Sequence, residues 1–264
     1  MIKNYDTAVA FSGGLDSTVL IRRLLDDGRQ LRLLYIDIGA FARNREFAAA
    51  RLIALKHSLP LEIVDFKGFP ELHRGYAFPS SLVQATDSKN GAERCTLIED
   101  IRSEEMPFAL KHSATEDIGN TSSFMVTLGV AAYYLQITGG RQLAVGFTKE
   151  QMGADSRLIA ALPAFSSFIN ALNPRPGDFE ILTPLADYDK AEVVRVGAKI
   201  GAQIQISWSC IYGEVKHCGR CDPCTDRRAA FAAAGVEDHT FYKRALRKDR
   251  ASTDATESGT MNET

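Results

Sequence analysis

The sequence has little net charge and no long apolar run. Lysine and arginine total 31 against 33 aspartate and glutamate residues, a formal net charge of −2. Such a balance argues against nucleic acid as a partner, because sequence-independent binding to a polyphosphate strand needs excess positive charge. No run approaches the roughly 18 apolar residues of a membrane span, and the first residues lack the basic stretch and apolar core of a secretory signal. We therefore predict a cytoplasmic protein without a membrane partner.

Cysteine is scarce and unevenly placed. Of five cysteines, Cys95 stands alone and four are crowded between positions 210 and 224. An odd total with this crowding is a poor disulfide framework and indicates a reducing compartment. The 264 residues are 45% hydrophobic and 24% charged, which excludes a disordered or fibrous chain and is enough for one sizeable α/β domain or two small ones.

Apolar runs alternate with helical spacings along the chain. Strands are predicted at residues 7–11, 31–36, 61–66, 142–147 and 179–182, and helices at 17–25, 45–57, 123–137, 158–172, 189–200 and 226–234. This order predicts an α/β fold with a doubly wound, mainly parallel sheet that binds ligands at the carboxyl ends of its strands.

Two stretches lack this regularity. Residues 68–117 have no clear period, and we predict a lid there. Residues 251–264 are rich in Ser, Thr, Asp and Glu and are predicted to be a disordered tail. The domain prediction is a main domain over 1–205, a C-terminal cysteine-containing and helical segment over 206–250, and this tail.

The segment Ser12-Gly13-Gly14-Leu15-Asp16-Ser17-Thr18 lies between the first predicted strand and helix. Free backbone N–H groups and the positive helix end converge there, and the two glycines allow a phosphate to approach closely. No lysine follows the glycines and no third glycine is present, so the loop is neither a Walker A motif nor a dinucleotide fingerprint. The alternatives are a glycine turn required by sterics alone and an ordinary first-turn carboxylate at Asp16.

Four cysteines with the spacing C-x7-C-x2-C-x2-C form the second motif: Cys210, Cys218, Cys221 and Cys224. Four soft ligands in one loop suit tetrahedral Zn²⁺, and four thiolates leave no open position, so the metal is predicted to be structural. An iron–sulfur cluster uses the same ligands. His217 could replace one ligand, although a partly exposed loop histidine is the favoured interpretation. Arg220, Arg227 and Arg228 could offset the charge of the centre.

The glycine segment resembles the PP-loop of the ATP pyrophosphatase superfamily, whose members split ATP between its α and β phosphates. The resemblance implies that pyrophosphate is held by five loop residues, Ser12, Gly13, Gly14, Ser17 and Thr18. It also implies that Asp16 binds or orients Mg²⁺, for which a hard oxygen ligand is suitable.

Further motifs make the resemblance specific to one family within this superfamily. They are Thr183-Pro184-Leu185, then Lys190-Ala191-Glu192, and Ser207-Trp208-Ser209-Cys210 leading into Cys218-Gly219-Arg220-Cys221-Asp222-Pro223-Cys224. Together with the glycine loop they resemble the 7-cyano-7-deazaguanine synthase family over about residues 9–231. The resemblance implies an adenine nucleotide alpha hydrolase-like PP-loop domain over 1–205 with a zinc-binding subdomain after it.

Four more residues receive expected roles by this resemblance. Lys190 is a cation for the β and γ phosphates, with a solvated surface lysine as the alternative, and Asp37 contacts the adenosine or else caps a helix. Where the family usually has Asp-Cys-Arg, this chain has Asp155-Ser156-Arg157. Asp155 is expected to bind the donor edge of a guanine-like base, and Arg157 to clamp a carboxylate or phosphate; an exposed ion pair is the alternative.

The resemblance implies an ATP-dependent carbon–nitrogen ligase. Such an enzyme adenylates 7-carboxy-7-deazaguanine, passes it to ammonia and dehydrates the amide to the nitrile. The implied cofactors are ATP, Mg²⁺ and structural Zn²⁺, and family members commonly form homodimers. Departures from the family pattern leave open a divergent anti-phage defence enzyme with a protein amine as acceptor. Thiolation through Cys95, another amidation, and a non-catalytic zinc module binding RNA or a protein also stay open.

Overall fold

Five short strands alternate with helices in the computed structural model, which describes residues 5–40, 42–65, 118–153, 157–172 and 178–243. The strands are β1 (Thr7–Ala10), β2 (Leu31–Asp37), β3 (Leu61–Asp65), β4 (Gln142–Ala144) and β5 (Glu180–Leu182). The helices are α1 (Leu15–Asp26), α2 (Arg43–Lys56), α3 (Ile118–Thr138), α4 (Leu158–Leu172), α5 (Lys190–Lys199) and α6 (Asp222–Ala234), with a 3-10 turn at Ile204–Ile206. The predicted lid and tail lie outside these residues.

The strands form one parallel sheet in the order β3-β2-β1-β4-β5. Val9 of β1 lies opposite Leu33 of β2 on one side and Ala144 of β4 on the other. The chain runs outward from β1 to β3, then returns to the other side of β1 as β4. This reversal between β1 and β4 is the position where open α/β sheets bind ligands. The predicted α/β fold with a parallel sheet is confirmed.

Successive strand residues face two different cores, as side chains of a strand must. Val9 and Leu33 belong to one buried cluster with residues of α1, α2, α5 and α6. Ala8 and Leu34 belong to another with residues of α3 and α4. Helices therefore cover both faces of the sheet, which explains why its strands are nearly continuous apolar runs.

Three elements differ from the predicted bounds by three residues or more. Helix α3 begins at Ile118 instead of 123. Helix α6 begins at Asp222 instead of 226, because Cys221 is its N-cap and Pro223 lies in the first turn, where proline is tolerated. Strand β4 ends at Ala144 instead of 147. Beyond it, a side chain at Gly146 would come within 3.2 Å of the Ser17 backbone nitrogen, so the chain there passes closely over the start of α1.

The C-terminal segment packs onto the main sheet. Phe231 of α6 is buried in the same cluster as Val9 and Val19. The proposed boundary near residue 205 stays a prediction. Among the described residues, no helix combines the length and apolar character needed to cross a membrane.

Candidate active site

The glycine loop joins the carboxyl end of β1 to the first turn of α1. Gly14 is the helix N-cap, and its carbonyl oxygen accepts hydrogen bonds from the Thr18 N–H at 3.1 Å and the Thr18 hydroxyl at 2.6 Å. The Ser17 hydroxyl donates to the same oxygen at 3.2 Å. The Gly14 N–H in turn donates to the Ser12 hydroxyl oxygen at 3.2 Å. The predicted loop residues are thus brought together at a helix N-terminus, where backbone N–H groups lack intrahelical partners.

Gly13 is required at its position for two steric reasons. Its φ is +77°, in the left-handed region that L side chains rarely adopt. A Cβ atom there would lie 2.4 Å from the Glu46 carbonyl oxygen and 2.8 Å from the Ala50 nitrogen. The Gly13 carbonyl accepts a hydrogen bond from the Trp208 N–H at 2.9 Å. Helix α2 and a distant part of the chain therefore hold the loop.

Asp16 and Lys190 form an ion pair beside this loop. The Lys190 ammonium donates to Asp16 Oδ2, and the two side chains are 33% and 21% exposed. Asp16 Oδ1 is buried and has no hydrogen-bond partner among the residues that the structure describes. Burial raises the pKa of Asp16, whereas the charge of Lys190 opposes that rise. An unpaired carboxylate oxygen of this kind suits a hard cation such as Mg²⁺, so the residues present fit the metal.

Lys190 is the first residue of α5. Asp189 is the N-cap, and its carboxylate accepts from the Glu192 N–H at 2.7 Å while the Glu192 carboxylate accepts from the Asp189 N–H at 2.8 Å. This capping box fixes the start of the helix. The pairing with Asp16 places Lys190 at the site rather than on a solvated surface.

Glu150 and Thr148 are site residues that sequence reasoning missed. Glu150 Oε1 accepts from the Lys190 N–H at 2.9 Å, and Oε2 accepts from the Thr148 hydroxyl at 2.7 Å. Burial raises the pKa of Glu150, but the hydrogen bonds from Thr148 and Lys190 outweigh it and lower the pKa overall. Both residues follow β4, the strand that lies on the other side of β1 from β2. Their only signal in the sequence was this position just after a predicted strand.

Asp37 ends β2 and closes a turn rather than capping α2. Its Oδ1 accepts from the Gly39 N–H at 2.8 Å, whereas the N-cap of α2 is Ala42. A pocket at the ends of β2 and β3 is lined by Tyr35, Asp37, Arg43, Asn44, Phe47, Ile63 and Asp65. Nearby, burial and the charge of Asp37 raise the pKa of Glu46 to about 7.

The remaining predicted substrate residues are not brought to the site by the described structure. Asp155 lies outside the described residues, as does Cys95. Arg157 is exposed just before α4, and its carbonyl oxygen accepts from the Ala161 N–H at 2.9 Å. Their roles stay predictions.

The four clustered cysteines meet as their spacing predicts. The Sγ atoms of Cys210, Cys218, Cys221 and Cys224 all lie within 4.8 Å of one another, and two of the pairs are 4.0 Å apart. An ideal tetrahedron with Zn–S bonds of about 2.3 Å has S–S edges of about 3.8 Å, so the arrangement fits a tetrahedral metal.

Backbone N–H groups also point at these sulfurs. Cys210 Sγ accepts from the N–H groups of Tyr212 and Cys218 at 3.4 Å, and Cys218 Sγ accepts from Arg220 at 3.4 Å and Cys221 at 3.3 Å. Hydrogen bonds of this kind stabilise thiolates, the form in which cysteine binds metals. These four residues could hold a metal ion.

His217 is neither a ligand nor a partly exposed loop residue, so both interpretations of its sequence context are wrong. It is buried, and its Nε2 accepts from the Ser209 N–H at 3.1 Å. Its ring packs on Trp208 with centroids 4.1 Å apart and meets the edge of Tyr242. Burial and the charge of Arg227 lower the pKa of His217 to about 4, which keeps the imidazole neutral and able to accept this bond.

Most of the chain matches a family of known proteins. Residues 6–235 match the family model described as "Queuosine biosynthesis protein QueC". Curated proteins named 7-cyano-7-deazaguanine synthase are similar to the chain. The protein from Saccharolobus solfataricus is 32% identical over 245 residues, which are 91% of this chain and 48% of that protein. The protein from Brucella anthropi is 29% identical over 237 residues, which are 90% of this chain and 93% of that protein.

The chain thus spans about half the length of the first of these relatives and nearly all of the second. Among solved structures, the U34-tRNA thiolase NcsA from Methanococcus maripaludis has a TM-score of 0.44 at 16% identity, over 89% of this chain and 73% of that one. This score is below the value that indicates a shared fold. The family model, which covers most of the chain, decides the assignment and confirms the predicted family. The chain belongs to the QueC family of queuosine biosynthesis proteins.

Proposed function

We propose that this protein is an ATP-dependent carbon–nitrogen ligase that converts 7-carboxy-7-deazaguanine and ammonia to 7-cyano-7-deazaguanine. The observation that carries the proposal is the pairing of Asp16 and Lys190 beside the glycine loop, where the other Asp16 oxygen has no partner in the described ranges. Family membership and the names of the similar proteins support the same activity.

The glycine loop would hold the leaving pyrophosphate. Ser12, Gly13, Gly14, Ser17 and Thr18 lie where helix α1 begins, and its first N–H groups are free of intrahelical partners. Gly146 lacks the side chain that would come within 3.2 Å of the Ser17 nitrogen and cover this start. Pyrophosphate is a dense anion that backbone N–H groups and hydroxyls can satisfy together.

Asp16, through Mg²⁺, and Lys190 would together neutralise the charge of the triphosphate. Asp16 would hold Mg²⁺, which when bound neutralises charge that develops on the phosphate oxygens. Lys190 would turn its ammonium from Asp16 toward the β and γ phosphates. Glu150 already has both oxygens engaged, so we assign it the orientation of the α5 N-terminus rather than metal binding.

The chemistry requires positioning and charge stabilisation, and no side-chain nucleophile. A carboxylate oxygen attacks the α phosphorus of ATP, the bond to the β-phosphate oxygen breaks, and pyrophosphate leaves. Ammonia then attacks the acyl carbon, AMP leaves and a proton is released, which gives the amide. A second ATP adenylates the amide oxygen with release of pyrophosphate, and loss of AMP and the nitrogen-bound protons gives the nitrile. Holding the reactants together adds to the rate enhancement that charge stabilisation supplies.

Three residues would contact the organic parts of the substrates. Asp37, at the end of β2 beside the pocket, would bind the adenosine. Asp155 would accept hydrogen bonds from the base, and Arg157 would pair with the carboxylate. The cysteine cluster would hold Zn²⁺ as a structural ion, because four thiolates fill its coordination sphere. A homodimer and a cytoplasmic location stay predictions.

The test is product analysis with pyrophosphate release followed in parallel. The protein is incubated with ATP, Mg²⁺, ammonia and 7-carboxy-7-deazaguanine, and the products are identified by mass spectrometry. We expect the nitrile together with two equivalents each of AMP and pyrophosphate. A stalled amide would limit the activity to one round, and absence of any reaction would overturn the proposal. Replacing ammonia by a protein amine in the same assay tests the anti-phage alternative, for which none of the comparisons offers support.

A further inference from the structure

Arg227 is a buried cation that the proposed chemistry does not use. It lies on α6, three residues after Cys224, and only 1% of its surface is exposed. Its guanidinium packs on the Phe231 ring, with the central carbon 4.8 Å from the ring centroid. Burying a charge is costly unless its donors are satisfied, so the partners of Arg227 indicate what the residue is for.

Most of the hydrogen bonds of Arg227 run to one stretch of chain, residues 204–209, which we name the bridging segment. Nη1 donates to the Ser207 hydroxyl at 2.8 Å and the Ser209 hydroxyl at 3.2 Å, and Nη2 donates to the Ile204 carbonyl at 2.8 Å. Nε donates to the Thr240 hydroxyl at 2.9 Å. The donors of Arg227 thus contact the bridging segment rather than the cysteine sulfurs, and the charge-balancing role suggested by the sequence stays a prediction.

The bridging segment contacts the glycine loop on its other side. The Trp208 N–H donates to the Gly13 carbonyl oxygen at 2.9 Å. In a trans peptide the C=O and N–H groups point in opposite directions. A Gly13 carbonyl held toward Trp208 therefore directs the N–H of the same peptide, that of Gly14, toward Ser12, with which it makes a 3.2 Å hydrogen bond.

This restraint matters because a peptide next to Gly13 is easily reoriented. Gly13 and Gly14 carry no side chains, and glycine has the widest choice of backbone conformations. A peptide between them could rotate and turn its carbonyl oxygen toward an incoming anion. The bond from Trp208 opposes that rotation before any nucleotide arrives.

We propose that Arg227 is a positioning residue for nucleotide binding. It fixes the bridging segment, which in turn fixes the orientation of the Gly13–Gly14 peptide so that the Gly13 carbonyl oxygen stays turned toward Trp208 and away from the pyrophosphate. The inference rests on the proposed function, because it assumes that the glycine loop binds the phosphates of ATP. Its contribution is preorganisation: a loop ordered in advance loses less entropy on binding.

The test measures binding rather than turnover. MgATP is titrated by calorimetry into wild-type protein, Arg227→Met, Arg227→Lys and the control Arg195→Met. Arg195 is an exposed arginine of α5 that donates to the Ala233 carbonyl of α6. We expect the Kd to rise by about tenfold in Arg227→Met. A smaller rise is expected in Arg227→Lys, which keeps the charge with fewer directed donors, and none in Arg195→Met.

Steady-state kinetics distinguish a positioning role of Arg227 from a general loss of active protein. For folded variants we expect the KM for ATP to rise while kcat at saturating ATP stays within about twofold of wild type, because bound nucleotide restores the loop. A uniform loss of active protein would instead lower kcat and leave Kd unchanged. That result would overturn the proposal.

A second variant covers the case in which Arg227→Met does not fold. The double substitution Ser207→Ala with Ser209→Ala keeps Arg227 and removes two of its acceptors. It should weaken MgATP binding in the same direction with metal content unchanged. Unchanged affinity in this variant would refute the positioning role. Wild-type protein that binds no MgATP would overturn the proposed function itself, which is a distinct outcome.

Discussion

Asp16 uses one carboxylate oxygen for Lys190, and the other is buried and unpaired within the described part of the chain. Substitution Asp16→Asn removes the charge and preserves the shape. We expect pyrophosphate release to fall by about a hundredfold or more, because stabilisation of the developing charge is the largest part of such catalysis. Thermal stability should change little, since the pair is partly exposed and such pairs contribute little.

The matched control is Asp26→Asn on the same helix, where Asp26 pairs with Arg22 on the surface. Its pyrophosphate release should equal that of wild type. Retention of near wild-type release by Asp16→Asn would contradict the assigned role.

Glu46 makes stability depend on pH in an unusual direction. Burial and Asp37 raise its pKa from 4.5 to about 7. Between these values the folded protein keeps a proton that the unfolded chain has released, so stability falls as pH rises through this window. The loss is on the order of 1 to 3 kcal/mol at pH 8.

Urea unfolding of wild type and Glu46→Gln at a series of pH values measures this effect. The variant cannot ionise, so we expect it to gain stability relative to wild type as pH increases from about 5 to 7.5. Glu237→Gln, at a side chain that is 81% exposed, should track wild type. Parallel curves for wild type and Glu46→Gln would contradict the raised pKa.

At the scale of elements, the cysteine loop and the first turn of α6 form one unit. Cys221 caps α6 and Cys224 lies in its first turn. We expect Cys221→Ser to lower metal content and stability together, because metal binding and folding are coupled at such sites. A loss of about 3 kcal/mol would lower Tm by roughly 6 to 12 °C.

The control is Cys95→Ser, which changes the cysteine outside the cluster. It should keep its full metal content, measured by atomic absorption alongside calorimetric unfolding. Wild-type melting of Cys221→Ser would show that the cluster is dispensable.

Local signals predicted the elements well and their ends less well. Alternating apolar runs identified all five strands, because the buried parallel sheet requires them. The predicted strand at 142–147 is too long because Gly146 must leave the sheet to pass over α1. The start of α6 was missed because a cysteine N-cap is not among the usual capping residues.

The site was predictable only where its residues share a motif. The glycine loop, Asp16 and the cysteines were identified from spacing within short stretches. Glu150 joins them only through the Lys190 N–H, at the far end of another loop. His217 was misjudged because its burial depends on Trp208 and Tyr242, which only the tertiary fold brings to it.

At the scale of the whole molecule, the bridging segment connects the cysteine cluster to the glycine loop. Coupling between two sites is reciprocal. We therefore expect saturating MgATP to slow removal of the metal by a chromogenic chelator by about threefold or more. The Mg²⁺ concentration is the same with and without ATP.

The control is the double substitution Ser207→Ala with Ser209→Ala at the same ATP concentration, which corrects for binding of the metal by ATP itself. In this variant we expect MgATP to lose most of its effect on the rate of metal removal. Equal rates for wild type with and without nucleotide would contradict the coupling.

The hydrogen bond between Trp208 and Gly13 also has a consequence for biogenesis. Its two residues are about 195 positions apart in the chain, and contacts of such long range form late in folding. As the ribosome synthesises the protein, the amino-terminal strand and helix emerge early but lack this anchor until the carboxyl-terminal part follows. We therefore expect the glycine loop of the nascent chain to lack this restraint until residues 204–209 have been synthesised.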